Sequence, residues 1–316
     1  MDRLSRHGGT PCSDCVFRTG SALMTSLPNP LSNFSAQFDG RLHDYIQTTS
    51  DVPTELLEAV RYSVLAPGKR IRPYLVVRCC ELVGGPRDNA WPAAAAVECV
   101  HAFSLVHDDL PAMDDDDLRR GRPTTHKQFG EAMAILAGDT LVVLAFEILA
   151  RHVSDRRLAG EMVLELAQRT GWAGMIGGQA ADIAGQSQAA SLDRTRYIHE
   201  RKTAALFEGA CRLGAMAGRG EADDVAALGR FGACLGRAFQ IADDLLDVTS
   251  TAEKLGKTAG KDVTAGKQTY PRCVGVEQSR RAAGKACDEA IAELHRFGSN
   301  ADDLCELARY VVSRSF

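Results

Sequence analysis

Alternation of polar and β-branched residues is almost absent from this chain, so no sheet is expected. No apolar run approaches the roughly 20 residues that span a bilayer. The richest stretch, residues 132–150, is broken by Gly138, Asp139 and Glu147 and reads as a core helix, so no stable membrane insertion is expected. The N-terminal Arg3, Arg6, His7 and Arg18 are followed by no continuous apolar segment. That is a poor secretory signal, and a cytoplasmic protein is the expectation. Cys12 and Cys15 form the sole C-x-x-C pair among ten cysteines and lack the second half of a zinc site. An excess of positive charge is also missing. The net charge of −4 argues against a nucleic-acid binder, which needs clustered Lys and Arg for phosphate contacts.

What is there is helix. Residues 1–23 are polar, rich in Gly and Ser, without an apolar period, and read as a disordered extension. Residues 24–316 read as one all-helical domain, because no internal linker is long enough to divide them. Helices are expected from Thr54 after Pro53 and from Pro92 to Asp109. Others are expected over about 131–151, 159–184, 193–218, 224–248, 276–295 and 301–315, with loops at 84–89, 218–224 and 256–266.

The strongest chemical feature is the acidic run Asp108, Asp109, then Asp114 to Asp117, at the end of an apolar helix. Negative charge is disfavoured at a helix C-terminus by the backbone dipole, so something positive should offset it. Magnesium takes carboxylate oxygens and substrate phosphates together and suits the role; a solvated acidic loop would give the same pattern. A second cluster, Asp243, Asp244 and Asp247, shares the face of another apolar helix at spacings of three and four. Like charges so placed repel unless a cation bridges them, and two such clusters can face each other across one diphosphate. Basic residues follow each: Arg119 and Arg120 after the first, Lys257 and Lys261 after the second. They are the groups to neutralise the remaining phosphate charge.

These residues resemble the trans-isoprenyl diphosphate synthases, most closely the bacterial farnesyl diphosphate synthases. The resemblance runs from about residue 30 to the C-terminus. It is carried by Gly68-Lys69-Arg70-Ile71-Arg72-Pro73, by residues 104–121 around the first aspartates and by residues 239–247 around the second, with Gly256-Lys257 and 267–271 in support. It implies an isoprenoid synthase helical bundle around a central metal-lined cavity and generally a homodimer. It also implies about three magnesium ions, with Asp108 and Asp114 holding two and Asp243 the third. Lys69, Arg72, His101 and Arg120 would bind isopentenyl diphosphate. Arg119, Lys202 and Lys257 would bind the allylic diphosphate. Thr203 and Gln240 would sit beside the developing carbocation, and Asp109 and Asp244 would complete the catalytic aspartates.

The activity so implied is head-to-tail condensation of isopentenyl diphosphate with dimethylallyl or geranyl diphosphate. Farnesyl diphosphate is the expected main product. Phe103, five residues before Asp108 and so about 7.5 Å deeper along the helix, would form the pocket floor beside the small Ser104. A geranylgeranyl diphosphate synthase is the alternative. A terpene cyclase is less favoured, since it would lack the isopentenyl set Lys69, Arg72 and His101. A phosphohydrolase leaves the second cluster unexplained, and a non-catalytic subunit would usually have lost one cluster. The extension at 1–23 and the ending Val311 to Phe316, where Arg314 stands in place of a closing basic residue, depart from the usual pattern.

Overall fold

The computed structural model describes residues 29–46, 51–186, 188–249 and 267–313. The extension 1–23, the Cys12–Cys15 pair, the loop 256–266 with Lys257 and the terminal Arg314 lie outside the described residues.

The described residues form fourteen helices: α1 (Asn29–Ile46), α2 (Thr54–Val64), α3 (Ile71–Leu82), α4 (Trp91–Asp108), α5 (Thr125–Phe129), α6 (Glu131–His152), α7 (Arg156–Thr170), α8 (Met175–Gly185), α9 (Leu192–Ile198), α10 (Ala205–Ala217), α11 (Ala222–Thr249), α12 (Tyr270–Val274), α13 (Val276–Leu294) and α14 (Asp302–Ser313). A π-helical turn, His199–Ala204, joins α9 to α10 without a break in the chain direction. Among the described residues the one sheet is an antiparallel pair, Leu118–Arg119 with Arg122–Pro123, a tight hairpin that turns the chain after the first acidic run.

Local chemistry sets the helix starts. Pro53 at φ −53° precedes α2, and Pro92 occupies the first turn of α4, where a missing N–H leaves no hydrogen bond broken. The Asp155 carboxylate accepts from the N–H groups of Arg157 and Leu158 and so caps α7. The single helix expected over 159–184 is two: α7 stops at Thr170, and α8 restarts at Met175 after Gly171 and Gly174. The apolar period runs through the break, while the glycines supply the turn.

α4 is the centre of the bundle and is buried along nearly its whole length, with α3, α6 and α10 around it. Its Ala93–Ala96 run lets neighbouring backbones approach closely. α11 packs on α10 on one side and α13 on the other. Phe207, Phe231 and Leu235 are fully buried between these helices, and burying a Phe or Leu contributes about 1.5–3 kcal/mol each. Phe231→Ala would cost about 3–5 kcal/mol through lost transfer energy and the cavity left behind.

α6 departs from the reading as a core helix. One face, with Ala134, Leu141, Ala145 and Ile148, is buried. The other exposes Ile135 (44%), Leu136 (51%) and Val143 (64%). By length and composition alone this helix could cross a bilayer.

Candidate active site

Three cavities meet between α3, α4, α8, α11 and the π turn, and they differ in chemistry. The first, about 730 Å³, is mainly apolar and runs along Phe103, Ser104, Val142, Met175, Ile176, Ile183, Leu206 and Phe239. The second, about 440 Å³, is acidic and lined by Asp108, Asp114, Asp182, Asp243, Asp244 and Asp247, with Lys69, Lys202 and Lys267. The third, about 420 Å³, is basic and lined by Lys69, Arg72, His101 and Arg120. The four residues that the family resemblance groups as one substrate set are thus brought together.

Six polar or charged side chains line both the apolar and the acidic cavity: Asp108, Arg119, Lys202, Thr203, Gln240 and Asp243. A molecule with a charged head and an apolar tail would place the bond between them at this junction.

Burial shapes the charges. Desolvation pushes the Asp108 carboxyl up to about 6, and Asp114 adds to the rise while Lys202 opposes it. A carboxylate held so reluctantly is one that a cation would stabilise. Hard carboxylate oxygens from two helices facing one cavity are the donor set for a divalent ion such as magnesium, so the residues fit one. In the basic cavity, burial lowers Arg72 to about 10, partly offset by Glu98 and Asp243, and drives His101 well below the ordinary imidazole value with Arg72 and Arg120 adding to the effect. Both would recover in the presence of an anion.

The two aspartates of each adjacent pair have different surroundings. Asp109 is buried and lies outside the apolar and acidic cavities. It accepts from Arg119 Nε at 2.8 and 2.9 Å and from Nη2 at 2.5 Å, fixing the guanidinium in the cavity wall. In this structure Asp109, expected among the catalytic aspartates, holds Arg119. Asp244 is likewise buried, accepting from Gln240 Nε2 at 3.1 Å and from the Tyr270 N–H at 2.9 Å, with His199 Nε2 at 3.3 Å.

Several partners were not legible in sequence. Lys267 Nζ lies 3.0 Å from Asp114, across more than 150 residues of chain. Lys202 pairs with Asp182 at 2.7 Å. Arg70, at φ 50°, is buried and paired with Glu98 at 2.5 Å and Asp39 at 2.8 Å. This anchor sits between Lys69 and Arg72 and aims both at the cavities. Gly68 leaves room for Arg120, whose Nη1 would lie 2.6 Å from any Cβ there; Gly178 does the same for the backbone of Lys202, 2.1 Å away. A buried ion pair, a helix–helix approach and a lone basic residue leave no periodic trace.

Phe103 and Ser104 both face the apolar cavity. The Phe103 ring meets His107 edge-on at 5.2 Å. The wall of the same cavity also takes in Val142 on α6 and Ile176 and Ile183 on α8. A separate group flanking the hairpin, Asp115, Asp117 and His126, has ligand atoms within 4.8 Å of one another, and there Lys127 pairs with Asp117 at 2.8 Å.

The polyprenyl synthetase family model matches residues 53–307. The chain belongs to that family. It is a prenyltransferase of the trans-isoprenyl diphosphate synthase type. It is 50% identical over 270 residues to geranylgeranyl pyrophosphate synthase 11, chloroplastic, of Arabidopsis thaliana, covering 83% of this chain and 75% of the relative. The chloroplastic geranylgeranyl pyrophosphate synthase of Capsicum annuum is 48% identical over 267 residues, covering 83% and 72%. Among solved structures, an FPP/GFPP synthase from Zymomonas mobilis superposes with a TM-score of 0.79 at 39% identity, covering 90% of this chain and 97% of that one. A geranyltransferase from Legionella pneumophila gives 0.80 at 30% identity, covering 90% and 96%.

Proposed function

We propose that this prenyltransferase extends allylic diphosphates with isopentenyl diphosphate by head-to-tail condensation, and that its main product is geranylgeranyl diphosphate. The observation that carries the reaction is the meeting of three cavities of different chemistry at one junction. The allylic tail enters the apolar cavity, its diphosphate the acidic one, and isopentenyl diphosphate the basic one.

Magnesium held by Asp108, Asp114 and Asp243 would supply positive charge against the departing diphosphate. Arg119, Lys202 and Lys267 add fixed positive charge on the same side. The allylic carbon–oxygen bond breaks, and its electron pair leaves with the diphosphate. The apolar walls around Phe103, Leu206 and Phe239 keep water from the resulting cation. The isopentenyl double bond then closes on that carbon, and a proton is lost. The released diphosphate is its acceptor, since no described side chain at the junction is placed as an evident base. Isopentenyl diphosphate is spared ionisation because its cavity offers Lys69, Arg72 and Arg120 without the aspartate clusters.

The length of the product is supported by the relatives named above and by the apolar wall that α6 and α8 add to the cavity. A farnesyl product is the second reading. It is favoured by Phe103, whose ring stands in the cavity wall where the tail descends. The two are separated by incubating the protein with magnesium, isopentenyl diphosphate and radiolabelled geranyl diphosphate, then chromatographing the dephosphorylated products. Geranylgeraniol is expected. Mainly farnesol, with longer products from Phe103→Ala, would support the second reading, and no chain-extended alcohol would refute prenyl transfer.

The apolar face of α6, Ile135, Leu136 and Val143, is covered in this reading by a second copy of the chain, giving a twofold homodimer. Sedimentation at micromolar concentration should give twice the chain mass; a monomer mass would overturn it.

A further inference from the structure

The hydrogen bonds around Asp244 run in one direction. A carboxylate only accepts, so the nitrogen of the Gln240 side chain must face it, and the Gln240 carbonyl oxygen must face the other way. Nε2 of Gln240 lies 3.1 Å from Asp244 Oδ1. Thr203 then donates its hydroxyl proton to Gln240 Oε1 at 2.6 Å. On the far side of the carboxylate, the Tyr270 N–H donates to Oδ2 at 2.9 Å and His199 Nε2 approaches it at 3.3 Å.

The proton shared in each of these hydrogen bonds therefore points toward Asp244. What remains at the other end, on Thr203 and Gln240, is oxygen lone pairs. Those two residues line both the apolar and the acidic cavity, where the bond between tail and diphosphate would lie. Oxygen without a proton favours positive charge there; a hydroxyl or amide proton turned the same way would oppose it.

His199 is the outermost member. It is buried, stacks obliquely on Tyr270 at 5.3 Å, and its Nδ1 is buried without a hydrogen-bond partner among the described residues. A buried imidazole with one nitrogen unsatisfied is an unfavourable arrangement that needs a reason. It stands at the start of the π turn that also carries Lys202 and Thr203, and π turns concentrate at functional sites.

We propose that His199 is a positioning residue for prenyl transfer: through Asp244 it locks the Gln240 amide, so that Gln240 and Thr203 present lone pairs to the carbon that becomes cationic. The inference rests on the prenyl-transfer reading above. His199 borders the acidic cavity but reaches the reacting carbon only through Asp244 and Gln240, so its loss should act on the transition state more than on substrate binding.

The test is steady-state kinetics of His199→Leu and His199→Gln in the full chain with magnesium, beside the inhibition constant of inorganic diphosphate and the melting temperature. His199→Leu should lower kcat by about 10- to 100-fold, the scale of a small misplacement at a reacting centre. Both KM values and diphosphate inhibition should stay near wild type, the pattern of an interaction made only in the transition state. His199→Gln, which keeps a donor for Asp244, should recover most of the loss. Asp244→Asn provides second access, because an amide can face Gln240 with either end; it should reproduce the kcat defect.

Unchanged kcat in His199→Leu, with a normal wild type, overturns this inference alone. Equal loss in the Leu and Gln variants, tracking a fall in melting temperature or in diphosphate binding, overturns it by making the role structural. Failure of the wild type to form any extended product overturns the prenyl-transfer reading and the inference together.

Discussion

Each acidic motif contains two adjacent aspartates, and the two motifs divide them alike but brace them differently. At the end of α4, Asp108 faces the cavities and Asp109 is held by the charged Arg119. On α11, Asp243 faces both the apolar and the acidic cavity, while Asp244 borders the acidic one alone and is braced by Gln240, His199 and the Tyr270 backbone. The first brace fixes a positive charge in the phosphate wall. The second fixes the orientation of neutral dipoles beside the reacting carbon. Adjacent residues on a helix point about 100° apart, so a doubled aspartate supplies one ligand and one anchor from a single turn.

That comparison can be broken most sharply at the cavity-facing members. Asp108→Ala or Asp243→Ala should lower kcat/KM by about a thousandfold, at the upper end of what removing one group that stabilises developing charge costs. The fold should survive and the melting temperature should not fall, since like-charge repulsion is relieved. Near wild-type turnover at saturating magnesium would defeat the assignment.

Next in size is the separation of the two diphosphate sites. Lys69→Ala should raise the KM for isopentenyl diphosphate about 10- to 100-fold, the scale of one lost charge-assisted hydrogen bond. The allylic KM should change far less. Equal losses would show that the basic cavity serves both substrates.

A pH titration sharpens the contrast within the first motif. Asp108 titrates near 6 in the folded chain, above the ordinary carboxylate value of 3.8, because burial penalises its charge. Below about pH 4 both folded and unfolded chains hold the proton. Between there and 6 only the folded chain does, so without metal its stability contribution is lost as pH rises through 6. A cation bound at Asp108 competes with that proton. Magnesium affinity should therefore fall about tenfold per pH unit below 6, as read by calorimetry. Affinity flat from pH 5 to 7 would exclude Asp108 as a ligand.

The bracing aspartates should show smaller effects. Asp109→Asn weakens a charged brace and should destabilise the chain by about 1–3 kcal/mol in urea unfolding, the scale of a compromised buried polar group. A stability unchanged within about 0.5 kcal/mol would mean that the Arg119 pair contributes little.

Much of this was readable before any coordinates. The acidic runs, the Lys69–Arg72 motif and most helices follow from spacing and period, since a motif on one helix carries its own geometry. What escaped depends on contacts between distant segments. Asp109 and Asp108 look alike in sequence, and only Arg119, ten residues on and turned back by the hairpin, tells them apart. His199 and Lys267 are single residues whose partners lie on α11 and beyond Asp108, so no local pattern announces them. The apolar content of α6 reads as core, yet Ile135, Leu136 and Val143 are exposed; whether a face is covered is a property of neighbours, not of composition.

The division of labour within each aspartate pair is tested most directly by calorimetric binding of magnesium and inorganic diphosphate to four variants, Asp108→Asn, Asp109→Asn, Asp243→Asn and Asp244→Asn. Binding should be lost in the Asp108 and Asp243 variants and retained, within about threefold, in the other two, a change under 1 kcal/mol. Equal loss in all four, or retention in Asp108→Asn or Asp243→Asn, would contradict it.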